Sequence, residues 1–374
     1  MKILYLVNVD WFFISHRLPI AQKALQRGYE VHLACTVTRH REFLEKEGLV
    51  VHEVPFGRSN QSVMVDIWTL FKLVKVVATV KPTLVHAITI KPVLYGGIIS
   101  RLFRVQAFVA AISGLGFVFV SESMRTRLIR SIVCSLYKFA LGASRLKVIF
   151  QNPADRNVLT QIVKLPTQSI AMIKGSGVNL KNYSFEPEPD SVIVTMASRL
   201  LKEKGVEEFV AAARLVNRHG VKAEFWLVGE PDEGNPNSVK PFQLEQWRKE
   251  GVVKLLGFRS DIPNVLSQSN IVVLPSYYGE GVPKVLLEAA ACGRAVVTTD
   301  NPGCAEAVED GVTGLVVPRR DAEGLAKAVD RLIGDVGLRK SMGQAGRKKA
   351  ELEFDINRVV SEHIKIYDGL VSSS

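Results

Sequence analysis

The strongest constraint on this chain is a pattern that runs along it twice: short continuous apolar runs separated by amphipathic segments of helical period. In the first half the runs are residues 3–7, 30–34, 50–54, 84–87, 107–111 and 148–150, with helical patterns between them such as 18–26, 66–77 and 93–102. Runs of this kind form strands buried on both faces, and the helices between them are the crossovers of a parallel sheet. Residues 175–190, GSGVNLKNYSFEPEPD, interrupt with glycine, proline, asparagine and charge, and read as a linker. The pattern restarts at 192–197 and continues at 223–228, 253–256, 271–274, 295–298 and 315–317. A last segment, 354–370, carries Ile356, Val359, Val360, Ile364 and Tyr367 at helical spacing. The expected class is α/β, with two doubly wound domains, since 374 residues exceed one ordinary core. Ligands of such sheets bind outside the carboxyl ends of the strands, and two facing domains would share a cleft there.

Charge divides unevenly between the halves. Residues 1–178 carry 23 basic and 9 acidic side chains, net +14, whereas 179–374 carry 25 and 28, net −3. The first half therefore expects an anionic partner. Nucleic acid fits poorly, because no binding motif or aromatic platform accompanies the charge. Residues 122–147 place Arg125, Arg127, Arg130 and Lys138 among apolar residues at helical spacing, either a basic helix on an anionic bilayer or a core-facing helix with solvated arginines. Cys35, Cys134, Cys292 and Cys304 form no CxxC or zinc spacing and read as isolated thiols of a reducing compartment. The start, MKILYLVNVDWFF, is too short in its apolar run for a signal peptide, and the apolar stretch 105–120 is too interrupted to span a bilayer.

Two motifs carry chemistry. GEGVPKVLLEAAA at 279–291 follows the strand IVVLP and sets Glu280 before a helix and Glu288 about two turns into it. One carboxylate can meet a sugar ring and the other a ribose diol, with helix-start amides for a diphosphate between them. The plainer reading is a helix-start glutamate and a solvated one, although an unpaired Glu288 among Leu286, Leu287 and Ala289 would be costly. ASRLLKEKG at 197–205 follows the strand VIVTM and offers Arg199 and Lys204 to phosphate oxygens. It competes with an ordinary charged loop.

Together with LVG at 227–229, LLGFRSDI at 255–262, the longer LPSYYGEGVPKVLLEAAACG and DGVTGLVV at 310–317, these motifs make the chain resemble retaining glycosyltransferase family 4, of GT-B fold, over essentially its whole length. FFISHRLPIA at 12–21, ISGLGFVF at 112–119 and LVGEPDEGNPNS at 227–238 resemble the bacterial branch that extends polyprenyl-diphosphate-linked glycans, N-acetylgalactosaminyltransferases among them. The resemblance implies an acceptor- and membrane-facing domain at 1–178, a nucleotide-sugar domain at 179–353, and a helix at 354–374 packing back toward the first. It implies that Glu280 holds the donor sugar, Glu288 the ribose, and Arg199 and Lys204 the diphosphate, with Glu280, Arg199 and Lys204 as the catalytic set. Gly281, Val282 and Pro283 would line the pocket, and Gly257, Phe258 and Arg259 would meet the base, uracil. It implies no metal and no cofactor. On the acceptor side it points to His16 and Arg17 in the first strand–helix loop, to Lys91 for the acceptor phosphate, and to His86, although the residues themselves favour a core or strand-end histidine there. Family members often carry a histidine after the strand LVHA, where this chain has Thr89, Ile90 and Lys91, so no side-chain acid or base is assigned.

The function so implied is transfer, with retention, of a hexose or N-acetylhexosamine from a UDP-sugar to a polyprenyl-diphosphate-linked saccharide, at the inner face of a bacterial plasma membrane. A same-fold enzyme acting on a soluble acceptor, and a non-catalytic anion-binding protein, are the alternatives.

Overall fold

The computed structural model describes residues 1–57, 63–114, 133–218, 220, 222–232 and 234–372. A first parallel sheet is built from β1 (Lys2–Val9), β2 (Glu30–Thr36), β3 (Val50–Glu53), β4 (Leu84–Ile88), β5 (Ala107–Ile112), β6 (Leu146–Phe150) and β7 (Ile170–Met172), in the order β3-β2-β1-β4-β5-β6-β7. A second is built from β8 (Ile193–Ala197), β9 (Glu224–Val228), β10 (Lys254–Gly257), β11 (Ile271–Leu274), β12 (Ala295–Thr299) and β13 (Gly314–Val317), in the order β10-β9-β8-β11-β12-β13. All the expected strands are present. β7 was not legible, because three residues carry no period.

Alternation along each strand feeds two helix layers. From β1, Ile3, Tyr5 and Val7 enter one core with Phe13, Leu18, Leu44 and Val359 from the helices Asp10–His16, Leu18–Gln26, Arg41–Lys46 and Ile356–Ser372. Leu4 and Leu6 enter the other, with Leu73, Val93, Tyr137 and Leu159 from Val63–Val80, Ile90–Leu102, the helical residues 133–140 and Pro153–Ile162. Each such buried side chain contributes about 1.5–3 kcal/mol. None of the described helices is long and apolar enough to cross a membrane.

The chain divides into two compact units, Met1–Ser176 with Asn357–Ser374, and Gly177–Ile356. The C-terminal helix is therefore part of the first unit, where Val359, Ile364 and Tyr367 are buried and Asp368 accepts a 2.7 Å hydrogen bond from the Tyr29 hydroxyl.

Two local expectations change. His16, placed in the first strand–helix loop, instead ends a short helix that starts at Asp10. Residues 177–190 carry no helix or strand, yet they are anchored in the second unit rather than hanging as a linker. Val178 exchanges backbone bonds with Phe354 (2.8 Å) and Ile356 (3.0 Å), Tyr183 is buried, and Glu188 takes a forked pair from buried Arg339 at 2.9 and 3.0 Å. A polar, proline-rich composition hides these anchors because each partner lies far along the chain. Residues 115–132, which hold most of the 112–119 motif and the first part of the 122–147 segment, lie outside the described residues.

Candidate active site

The second sheet reverses its winding between β8 and β11, so the loops leaving these two strands meet at its carboxyl edge. After β8 the chain turns through Lys202–Lys204 and ends at Gly205, whose φ is +80°. A Cβ there would lie 2.2 Å from the Pro275 carbonyl oxygen, so only glycine lets the two loops touch. The Glu203 carbonyl then accepts from the Tyr277 amide and the Ser276 hydroxyl, both at 3.1 Å. This docking brings Lys204 Nζ to 2.6 Å from Glu280 Oε2, while the Ser276 hydroxyl donates to the other carboxylate oxygen. Both side chains are less than one-fifth exposed, 18% for Lys204 and 16% for Glu280. The carboxyl end of β12 braces the arrangement. Thr299 Oγ1 donates to the Ser276 carbonyl and Asn301 Nδ2 to that of Tyr278. Gly303 packs so closely that a Cβ would fall 1.8 Å from the Gly281 oxygen, and Gly281, Val282 and Pro283 are buried.

Of the other expected donor residues, Glu288 lies on the helix Lys284–Ala291 and is 7% exposed. It is paired: the Tyr183 hydroxyl donates to Oε1 at 2.6 Å, and Lys284 Nζ stands 3.5 Å away, one turn earlier. Burial, reinforced by this carboxylate, pushes the Tyr183 phenol far up. Arg199 is exposed and donates to Asp232 at 2.7 Å, in the loop after β9. Gly229 in the same loop has its amide 2.8 Å from the Gly257 carbonyl. At the end of β10, Phe258 is exposed, and Arg259 forks onto Asp261 at 2.7 and 2.5 Å, which holds that carboxyl well below its usual range. The structure thus joins Lys204 to Glu280 directly, while Arg199 and Glu288 are held by partners the sequence did not single out: Asp232, Tyr183 and Lys284. Ser276, Thr299 and Asn301 were also missed, although their positions after β11 and at the end of β12 are a usable signal.

The first sheet reverses between β1 and β4. Asp10, after β1, is buried and accepts from Thr38 Oγ1 (2.7 Å) and from the amides of Trp11 (2.7 Å), Thr38 (2.8 Å), His40 (3.2 Å) and Arg39 (3.3 Å). Burial opposes its ionisation, but these bonds outweigh it and hold the carboxyl low. Thr89, after β4, has φ +74°, a strained conformation for a β-branched residue. Its hydroxyl, Asn8 Oδ1 and Ser113 Oγ are buried without hydrogen-bond partners among the described residues, at the ends of the adjacent strands β1, β4 and β5. Lys91 Nζ is 2.9 Å from Asp66.

The expected acceptor residues fare unevenly. His16 is partly exposed, stacked on Phe12 with centroids 4.2 Å apart. Arg17 and His86, at 2% and 0% exposed, lie inside the first unit, His86 as the core histidine the sequence also allowed. The helix Asp10–His16 turns residue 17 inward toward the C-terminal helix. There His86 Nδ1 meets the Tyr367 hydroxyl at 2.6 Å, Tyr367 meets the Tyr5 hydroxyl at 3.0 Å, and the His363 ring lies 5.7 Å from that of His86. Burial keeps both histidines neutral, His363 pushed down to about 3 and His86 well below its usual value. Among the described residues no cluster of three His, Cys, Asp or Glu side chains could hold a metal.

The chain matches the family model for Glycosyl transferase 4-like domains over residues 2–152 and that for Glycosyl transferases group 1 over 181–349. It is 29% identical, over the whole of both chains, to the N,N'-diacetylbacillosaminyl-diphospho-undecaprenol alpha-1,3-N-acetylgalactosaminyltransferase of Campylobacter jejuni. It is 26% identical to the UDP-Gal:alpha-D-GlcNAc-diphosphoundecaprenol alpha-1,3-galactosyltransferase of Escherichia coli, over 85% of this chain and 83% of that one. Anabaena HepE in complex with UDP and glucose has a TM-score of 0.79 at 21% identity, covering 99% of this chain and all of that one. Sucrose-phosphate synthase of Thermosynechococcus elongatus reaches 0.81 at 20%, over the whole of both. At these identities the structural likeness is one of fold. Two domain models that between them take in most of the chain, and a GT-B fold over all of it, make this chain a member of the group 1, family 4-like glycosyltransferases.

Proposed function

We propose that this glycosyltransferase moves a sugar, with retention and without a metal, from a UDP-sugar to a polyprenyl-diphosphate-linked saccharide. N-acetylgalactosamine is the first choice of sugar, because the full-length Campylobacter relative bears that activity in its name. The observation that carries the reading is the Lys204–Glu280 pair spanning the β8/β11 reversal. A cation and a carboxylate already held by Ser276 and by each other lose little further side-chain freedom when a sugar diphosphate arrives. Lys204 and Arg199 take the diphosphate, Glu280 the sugar hydroxyls and Glu288 the ribose. Main-chain groups of 257–259 take the base, and Gly281, Val282 and Pro283 line the pocket.

In the step proposed, an acceptor hydroxyl oxygen bonds to the anomeric carbon on the face from which the diphosphate leaves. The bond from that carbon to the diphosphate oxygen breaks, and the hydroxyl proton passes to the departing oxygen. Charge grows on that oxygen, where fixed cations stabilise it most. On the acceptor side, Lys91 supplies charge for the acceptor phosphate. Arg17 and His86 serve instead to seat the C-terminal helix.

The test is UDP release from a panel of UDP-sugars with a polyprenyl-diphosphate amino sugar, with and without a chelator, followed by NMR of the product anomer. Release that survives chelation, with the anomeric configuration kept, is expected. No release from any UDP-sugar, or an inverted product, would falsify it; transfer to soluble sugars alone would favour the soluble-acceptor alternative.

A further inference from the structure

LVGEPDEGNPNS at 227–238 supplies none of the donor contacts proposed above, yet the structure lays it along the loop that does. β8 and β9 are neighbours in the second sheet, and the loops leaving their carboxyl ends pair through the backbone. The Leu200 amide donates to the Glu230 carbonyl at 3.0 Å, the Val239 amide to that of Leu200 at 2.9 Å, and the Lys202 amide to that of Asn237 at 2.9 Å. Leu201 and Ser238 form an antiparallel bridge. The β9 loop is also tied within itself around one residue. The Asp232 amide donates to Ser238 Oγ at 2.9 Å, and the Asp232 carbonyl accepts from the Asn235 amide at 3.0 Å. So held, Asp232 Oδ2 accepts from Arg199 Nη1 at 2.7 Å, across 33 positions of sequence.

The two partners are unequal. The Asp232 side chain is 12% exposed and its backbone is fixed on both sides, whereas Arg199 is 49% exposed on a long flexible stem. The Arg259–Asp261 pair makes the contrast: it forms within one loop, between two side chains each more than a third exposed. A half-exposed ion pair contributes little to folding, so stability does not account for the framework built around Asp232. Positioning does. An arginine already held by a fixed carboxylate loses less freedom when a diphosphate arrives, just as the partners behind a ligand-binding side chain set its orientation.

We propose that Asp232 is a positioning residue of the donor site: it touches no substrate, and it holds the Arg199 guanidinium at the carboxyl edge of β8 for the donor diphosphate. This rests on the assignment of Arg199 to that diphosphate. The test is calorimetric titration of UDP into the full chain and four variants. Asp232→Ala weakens UDP binding by about five- to tenfold, at little change in melting temperature. Arg199→Ala weakens it by about tenfold or more. Asp232→Ala adds nothing in the Arg199→Ala background, because Asp232 acts through Arg199 alone. Asp232→Asn, which keeps a side-chain oxygen for the arginine, stays within about threefold of the parent. In steady-state transfer, Asp232→Ala raises the donor KM and leaves the acceptor KM unchanged. A double variant weaker than Arg199→Ala overturns the proposal, since Asp232 would then support the loop rather than the arginine. Tighter binding of UDP by Asp232→Ala overturns it too, since the carboxylate would then compete with the diphosphate. A parent that ignores UDP defeats the donor reading as a whole, whereas a parent that binds UDP beside an unaffected Asp232→Ala defeats only this inference.

Discussion

Both sheets reverse their strand order at equivalent places, β1/β4 and β8/β11, and they equip the two edges differently. At β8/β11 opposite charges meet across the reversal, Lys204 on Glu280, and glycines at 205 and 303 let the loop backbones touch. At β1/β4 the charges are tied elsewhere, Asp10 to residues 38–40 and Lys91 to Asp66, and the neutral oxygens of Asn8, Thr89 and Ser113 are left unpartnered among the described residues. The same topology thus yields one edge where opposite charges meet across the reversal and another where they do not. The difference comes from a few loop residues, not from the sheets.

The largest effect expected is on turnover. Lys204→Ala should lower kcat by about 10²–10³, the range for losing one donor aimed at developing charge, with little change in melting temperature. Lys91→Ala should cost about tenfold or less and act mainly on the acceptor KM. Steady-state kinetics that reverse this ranking would break the contrast between the edges.

Stability gives the next test. Asp10→Ala removes a buried carboxylate that organises residues 38–40 and should cost about 3 kcal/mol in urea unfolding. Asp232→Ala, whose partner Arg199 is half-exposed, should cost under about 1 kcal/mol.

A third prediction concerns pH. His86 and His363 are neutral when folded and gain protons on unfolding, so the unfolded chain binds more protons below about pH 6.5 and stability falls as pH drops toward 3. The limiting slope is about 1.4 kcal/mol per pH unit for each histidine. Urea midpoints at pH 7 and pH 5 measure it, and His363→Phe should roughly halve the dependence. A midpoint indifferent to pH over this range would show that these histidines titrate alike in both states.

The smallest effect is assigned to Tyr183→Phe, which leaves Glu288 with Lys284 alone. About 1 kcal/mol of stability and a few-fold rise in donor KM are expected. An unchanged KM would detach Glu288 from the donor.

What the sequence made legible was local. Strand period, the glycines around 205 and 281, and the pairing of Lys204 and Glu280 with strand ends all lie within short windows. What it hid was supplied from a distance: Tyr183 for Glu288, Asp232 for Arg199, Thr299 and Asn301 for the loop holding Glu280. Arg17 shows the same limit. Its place beside a proline-started helix looked like a surface, but its burial depends on the C-terminal helix, whose docking no local pattern encodes. Residues 177–190 looked loose because Val178, Tyr183 and Glu188 find their partners more than a hundred residues away.

The most direct measurement is calorimetric titration of UDP into the parent protein, Lys204→Ala and Lys91→Ala. The account predicts binding to the parent, unchanged in Lys91→Ala and at least about tenfold weaker in Lys204→Ala. A parent protein that ignores UDP, or a Lys204→Ala protein that binds it as tightly as the parent, would contradict the assignment of the β8/β11 edge to the donor.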